Sequence, residues 1–415
     1  MLSSRRRTTA VLASACLLLL WPVASGAAEP SAPADERVIY TVAGTDGQDR
    51  TQINRTGALV IGVAGDVATV EATRDQAEQL RRAGFSLQEQ TALSRELPAS
   101  QQPAADFPPG DEGYHTYDEM MAELDAVVAD HPDIAVKSSI GTSYEGRDIP
   151  LVKISDNAAQ DEDEPEVLFI CNQHAREHLT TEMCLHIVQR FTDGYATDSG
   201  VRESVDSREI WVVPMANPDG STYDIASGQY QGWRKNRQDS GTDLNRNWGY
   251  KWGCCGGASD NPSSETYRGS APFSAPETAA LRDFVNSRVV DGTQQIKAAI
   301  DFHTYSELVL WPFGHTTDDV TEGMTQEEYD RFQRVGTEMA DSNGYTPQQS
   351  SDLYITDGDS LDWLWGEHKI LAFCLEMYPA DGSGLDGFYP PDEVIEQETA
   401  RNDGAVDILL REAGA

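Results

Sequence analysis

Basic side chains are scarce in this chain. Across 415 residues, 31 Lys and Arg stand against 69 Asp and Glu, and 31 minus 69 leaves a formal charge of −38. So acidic a surface excludes nucleic acid and anionic membrane as main partners, because both are bound through basic patches. Long apolar runs are missing beyond the N-terminus, so no later segment reaches the ~20 residues that a membrane span needs. Short repeats and low-complexity tracts are missing too. With 39 % hydrophobic residues and ordinary Gly and Pro, the composition is neither collagen-like, coiled-coil nor disordered. At ~100 to 200 residues per domain, the length predicts two or three units.

Cysteine is sparse. Setting Cys16 aside with the N-terminal segment leaves five of six: Cys171, Cys184, Cys254, Cys255 and Cys374. An odd number requires a free or intermolecular thiol. No CxxC spacing occurs, which argues against a cysteine metal site. Cys171 and Cys374 lie in apolar runs and are expected as small core residues. The adjacent Cys254 and Cys255 could close a vicinal disulfide.

What is present begins with an export signal. Arg5, Arg6 and Arg7 form a basic n-region, residues 11–23 an apolar h-region, and residues 24–28 are small. This predicts a cleaved signal peptide over 1–28 and a soluble, secreted, extracellular protein. Strand-like runs follow at 38–43, 58–64 and 67–72, then a helix from Thr73 to Gly84 and a last strand at 85–90. Residues 97–110, rich in Ala, Gln and Pro, read as a linker. A small α+β unit in this place predicts an activation pro-segment over 29–105, processed near Asp106, and a catalytic domain over 106–415.

From Thr116, whose pairing with Glu119 makes a capping box, the pattern becomes α/β. Apolar strands are expected at 149–154, 167–171, 210–215, 296–302, 308–313 and 370–375. Helices are expected at 181–191, 276–286, 326–339, 360–368 and 392–410. The alternation predicts a mixed, mostly parallel sheet with helices on both faces.

The densest chemistry, His174-Ala-Arg-Glu177-His178, directly follows the 167–171 strand. Function in open α/β folds gathers where strands end. An imidazole and a carboxylate three residues apart can face one point if the chain turns helically, and zinc accepts both. A third ligand must then arrive from afar, and His303, ending the 296–302 strand, is the best candidate. Between them lie Asn217-Pro-Asp-Gly220, Trp233-Arg-Lys-Asn-Arg237 and Asp243-Leu-Asn-Arg-Asn-Trp248. Arginines and amides in the loops of an acidic chain suggest an anion site, since guanidinium matches carboxylate bidentately. Glu376 ends an apolar strand, where an unpaired carboxylate is costly to bury; it is either a core ion pair or a base.

These motifs, with His303-Thr-Tyr-Ser306 and Leu375-Glu376, stand in the order seen in the M14 zinc metallocarboxypeptidases. The chain resembles that family, and within it the bacterial carboxypeptidase T branch, from about Asp106 to the C-terminus. The resemblance implies that His174, Glu177 and His303 hold zinc, the two-imidazole, one-carboxylate set of carboxypeptidase A, itself a member. It implies that Asn245 and Arg246 bind the substrate's terminal carboxylate with Tyr354, and that Arg237 stabilises the oxyanion. Arg176, Arg234 and Tyr305 would be further substrate-binding groups. Glu376 would take a proton from a zinc-activated water and pass it to the leaving amine. Leu361 and Asp359 would line the pocket for the released side chain, predicting release of single apolar C-terminal residues with Lys and Arg also accepted. Asp161, Glu162, Glu166 and Glu209 match calcium ligands of the carboxypeptidase T branch. Partners would be peptide or protein C-termini and the chain's own pro-segment as inhibitor, with the enzyme a monomer.

Two other readings stand beside this one. His174-Ala-Arg-Glu177-His178 also fits the H-x-x-E-H pattern of inverzincin endopeptidases, in which both histidines bind zinc from one helix. A non-catalytic peptide-binding module with the same fold is the second, and it would have no need of Glu376.

Overall fold

The computed structural model describes residues 37–90, 106–382 and 384–414. The export signal, Cys16 and residues 91–105, which include the linker over 97–105, lie outside the described residues.

The N-terminal unit runs β1 (Arg37–Val42), α1 (Gly47–Arg55), β2 (Leu59–Ala64), β3 (Val67–Thr73), α2 (Arg74–Arg82) and β4 (Leu87–Glu89). Its strands form an antiparallel sheet in the order β2-β3-β1-β4. Ile53, Ala77 and Leu80 of the helices pack on Tyr40, Val60 and Val70 of the sheet. Thr73 caps α2 reciprocally with Gln76. Helix α1 was not expected, because Ile53 is its sole apolar residue and no 3.6-residue period shows. A capping box between Asp46 and Asp49 starts it, and it buries Arg50 and Thr51.

The larger unit follows in chain order. It opens with α3 (Tyr117–Asp130), β5 (Ala135–Thr142), β6 (Asp148–Ile154), β7 (Glu166–Cys171), α4 (His178–Asp193), α5 (Ser199–Val205), β8 (Glu209–Val213), α6 (Pro218–Asp224) and α7 (Pro276–Ser287). A short hairpin, β9 (Val289–Val290) and β10 (Thr293–Gln294), leads into β11 (Ile296–Thr304) and β12 (Leu308–Trp311). The chain closes with α8 (Gln326–Asn343), β13 (Thr346–Gln349), α9 (Ser350–Leu353), α10 (Ser360–His368), β14 (Leu371–Met377), α11 (Ile395–Ala400) and α12 (Asp403–Ala413). The helix expected over 392–410 is broken at Arg401 and Asn402, where the Asn402 amide donates to Glu398 O.

Eight strands make one sheet in the order β13-β12-β14-β11-β7-β8-β6-β5. The centre, β14-β11-β7-β8, is parallel, as is β12-β13, while β12-β14, β6-β8 and β5-β6 are antiparallel. Strand alternation divides β7 between two cores. Val167, Phe169 and Cys171 meet Met183, Phe332 and Leu409 on one face, whereas Leu168 and Ile170 meet Leu281 and Leu364 on the other. Both faces are therefore covered, and the apolar continuity of these strands is explained. Cys171 is not a free core residue: it is bonded to Cys184, while Cys254 is bonded to Cys255 and, among the described residues, Cys374 is the buried free thiol. Among the described residues no helix is long and apolar enough to cross a membrane.

Candidate active site

Parallel pairing aligns the carboxyl ends of β7, β11 and β14 on one edge, and register sets Glu376 directly beside His303. Past β7, Asn172 adopts φ 56°, a left-handed conformation Asn tolerates. Its Nδ2 donates to the carbonyls of His174 (3.2 Å) and Glu177 (3.4 Å), folding the turn that leads into α4. That turn brings His174 Nδ1 to 2.8 Å from Glu177 Oε1. From β11, His303 Nδ1 lies 2.9 Å from Glu177 Oε2 and 3.0 Å from His174 Nδ1. All three side chains are buried.

The far side of each ring faces a carboxylate. His174 Nε2 bonds Asp243 Oδ1 at 3.1 Å, and His303 Nε2 lies 3.1 Å from Asp301 Oδ2. Acceptors there draw the ring protons outward and leave both Nδ1 lone pairs pointing inward, toward a carboxylate. Such a set repels itself unless a cation sits among the donors, which lie within 4.8 Å of one another. Two imidazoles and one carboxylate suit zinc and leave a fourth position open. The residues fit the metal.

Glu376 faces this group across a pocket of ≈ 710 Å³, its open mouth included, which His174, Glu177, Arg234, Asn245, Arg246, Tyr305, Tyr354, Asp359, Leu361 and Cys374 also line. Burial pushes the Glu376 carboxyl up to about 8; His303 and Arg234 oppose the shift, and Glu177 and Asp301 add to it. Arg234 is nearly buried, bonds Asp243 Oδ2 through Nε (3.2 Å) and Nη2 (3.0 Å), and holds Nη1 4.0 Å from Glu177. Burial works against its charge, yet Asp243 and Glu177 outweigh that and keep it protonated. Arg246 donates to Gly257 O (3.1 Å) and to the backbone Asn245 O (2.6 Å), and the side-chain Oδ1 of Asn245 accepts from Ser360 N at 2.9 Å.

Arg237 does not reach this pocket. Its guanidinium lies 3.5 Å over Tyr223 and 4.6 Å over Trp233, with Nε 3.9 Å from Glu145. The 231–237 segment is not helical, so a spacing of three residues does not hold 234 and 237 on one side. Of the two arginines, Arg234 lines the pocket. Arg176 is also outside the pocket lining, under the N-terminal unit, 3.5 Å from Glu71 and over Phe388. His178 turns away from the metal group and bonds Asp224 at 2.9 Å, which removes the paired-histidine reading.

Tyr354 is a phenol raised by burial and by Glu376 and Asp243 against the pull of Arg246 and Arg234. Asp359 caps α10, accepting from Asp362 N at 2.8 Å and from the Thr356 hydroxyl. Burial, then the nearby Asp362, pushes its carboxyl up to about 7. Cys374, unforeseen as a pocket residue, has its thiol raised by burial. Asn172, Asp243 and Asp301 had no assigned role either. In sequence, Asn172 and Asp301 stand just before His174 and His303, and Asp243 opens the Asp243-Leu-Asn-Arg-Asn-Trp248 motif.

The calcium expectation fares differently. Asp161, Glu166 and Glu209 do gather, but Arg288 bonds Asp161 (2.6 Å) and Glu166 (2.6 Å), and Lys153 bonds Glu209 (2.7 Å). Glu162 lies instead with Asp156 and Glu164. Arg288 and Lys153 already supply the positive charge, so the cluster does not call for calcium.

The N-terminal unit covers the pocket. Val60, Ile61, Gly62 and Val63 of β2 line it. Val63 N donates to Ser306 Oγ (3.0 Å), and a Cβ on Gly62 would fall 2.3 Å from the Tyr305 ring. Arg50 donates to Leu353 O (2.7 Å) and Asp352 O (2.9 Å), and Ile355 N donates to Thr51 (2.9 Å). These contacts grip the segment that carries Tyr354.

Against known proteins, the family model described as Peptidase_M14, zinc carboxypeptidase, matches residues 120–403. A zinc carboxypeptidase of Saccharothrix mutabilis subsp. capreolus is 49 % identical, covering 98 % of this chain and 96 % of its own. Rat carboxypeptidase A1 is 32 % identical over 67 % of this chain and 65 % of its own. In fold, the chain is similar to carboxypeptidase A of Helicoverpa armigera, with TM-score 0.74, 21 % identity, and coverage of 92 % of this chain and 98 % of that one.

Proposed function

The chain belongs to the Peptidase_M14 zinc carboxypeptidase family, and from that premise we propose a secreted zymogen whose processed form releases single C-terminal residues, apolar ones foremost and Lys and Arg as well. One observation carries this reading: a zinc-type donor set, an elevated carboxyl and a cationic corner line the same pocket.

Arg246 and Asn245, with Tyr354, take the terminal carboxylate, which an internal peptide bond lacks. Arg234 lies nearer the donor set than any other arginine of the pocket lining and polarises the scissile carbonyl. One such donor contributes about 3 to 4 kcal/mol to transition-state stabilisation. His174, Glu177 and His303 would hold zinc, which would supply Lewis acidity at the site and lower the pKa of a water there to about 7. Glu376 takes a proton from the attacking water and returns it to the departing amine, work suited to a carboxyl raised toward neutrality. The released side chain enters between Leu361 and Asp359, apolar wall and acid together.

Residues 29–105 act as inhibitor: β2 occupies the pocket wall and α1 holds the Tyr354 segment, so substrate is excluded until cleavage near Asp106. Two disulfides within so short a set of cysteines favour an oxidising, extracellular setting.

The test incubates the chain, before and after proteolysis near Asp106, with peptides differing only in the last residue or in a C-terminal amide, with and without chelator. Release of single residues from free-acid peptides, only after processing and only without chelator, is expected. Cleavage of the amides at equal rate would overturn the exopeptidase reading, and equal activity before processing the zymogen reading.

A further inference from the structure

Asp357 is a fully buried acid that the mechanism above leaves unused. It sits between Tyr354 and Asp359 yet lines no part of the pocket. Its carboxylate is turned instead into the 253–257 loop. Oδ1 accepts from Gly253 N at 3.2 Å, and Oδ2 accepts from Cys255 N at 3.1 Å and Gly257 N at 2.8 Å. Alternate backbone donors over five residues can converge on one carboxylate only if the chain curls. Gly253 and Gly256, at φ 65° and 78°, provide the curl. The Cys254–Cys255 disulfide closes it.

The other side of this loop holds Arg246. Gly257 presents its N–H to Asp357 and its carbonyl to Arg246 Nε, at 3.1 Å. The fit is close as well: a Cβ on Gly257 would lie 2.5 Å from the Thr356 backbone. The loop therefore rests directly on the strand of chain that carries Tyr354 and Asp359, and a shift in one moves the other.

We propose that Asp357 is a positioning residue, which sets the Arg246 guanidinium at the substrate's terminal carboxylate by drawing the disulfide-closed 253–257 loop onto itself. The inference rests on the reading of Arg246 as carboxylate anchor. Removing the acceptor leaves the buried Gly257 N–H and the half-buried Gly253 and Cys255 N–H groups without this carboxylate, so the loop must reorganise and Arg246 Nε loses its fixed carbonyl. An interaction that binds the carboxylate equally in ground and transition states appears in KM, not in kcat.

The test uses the processed chain carrying Asp357→Asn or Asp357→Ala, assayed on one peptide as free acid and as C-terminal amide, with thermal unfolding in parallel. Asn is nearly isosteric and keeps one oxygen, so it serves where Ala fails to fold. For the free acid, KM is expected to rise about tenfold in Asp357→Asn, more in Asp357→Ala, with kcat within about threefold. The amide's kinetics stay unmoved, so acid-over-amide preference shrinks. In an Arg246→Ala background, Asp357→Asn should change the acid's KM no further, because both act through one group. An unchanged acid KM, a proportional loss on acid and amide, or full additivity with Arg246→Ala would each overturn the proposal. Failure of the site reading looks different: the wild-type protein would itself show no preference for the free acid.

Discussion

Strand β7 has a group of metal-capable side chains at each end. At its start, Glu166 joins Glu209 and Asp161; just beyond its finish, His174 and Glu177 join His303. The first group is the more acidic, yet Arg288 and Lys153 are bonded into it. In the second, the carboxylates of Asp243 and Asp301 stand behind the imidazoles and turn their free nitrogens inward. Acid density is thus a poor sign of a metal. What matters is whether lone pairs converge with no side-chain cation already among them. The difference also follows topology, because loops leaving the carboxyl ends of parallel strands diverge around an open space, while the opposite ends are tied to neighbouring turns.

Several measurements would break or sharpen that contrast. Glu376→Gln should lower kcat/KM by about 10² to 10⁴-fold with zinc content unchanged, whereas His303→Ala should lose the zinc itself, as metal analysis would show. Retention of full activity by Glu376→Gln would remove Glu376 from the chemistry at the carboxyl end of the sheet. Next comes the choice between arginines: Arg234→Ala should reduce kcat by about 10² to 10³-fold, and Arg237→Ala by less than about threefold. A reversed order would restore Arg237 to the role implied by resemblance.

At the other end of β7, Arg288→Met leaves Glu166 buried without its partner and should destabilise the fold by about 3 to 5 kcal/mol. Denaturant titration would measure it, with kcat unchanged. Millimolar calcium should leave the wild-type Tm where it is; a clear rise would mean that the acid group takes a cation after all.

The smallest expected effect concerns pH. Burial and Asp362 raise Asp359, so folding favours its neutral form. Its stabilising contribution is complete below the unfolded value of ~3.9 and is lost as pH rises through about 7. Charge on Asp359 above that range should favour a cationic side chain in the pocket. The ratio of Lys to Leu release should then climb about tenfold between about pH 6 and about pH 8, equivalent to one unit of differential interaction. Asp359→Asn, which keeps the helix cap, should flatten both trends; a ratio unchanged with pH would detach Asp359 from specificity.

Much of this was readable in advance where local signals are strong. The helix start at Thr73, the capping box at Thr116, the apolar runs of β7, β11 and β14, and the bounds of α10 all follow from spacing and composition. Helix α1 was not, because it packs Arg50 and Thr51 on backbone carbonyl and amide groups rather than on a core. Cys171 looked like a core residue because it is one; only the proximity of α4 to β7 pairs it with Cys184. Arg234 and Arg237 are chemically identical in sequence, and the aromatic rings of Tyr223 and Trp233 separate them.

By itself, the sequence determined the inventory: an acidic chain of a known family, strands buried on both faces, and donors placed at strand ends, since hydrophobic period and residue type are local properties. The tertiary structure decided the assignments. Which arginine enters the pocket, which acids are already neutralised and which loop Asp357 grips depend on groups far apart in the chain, and charges are judged only by what stands within a few ångströms of them.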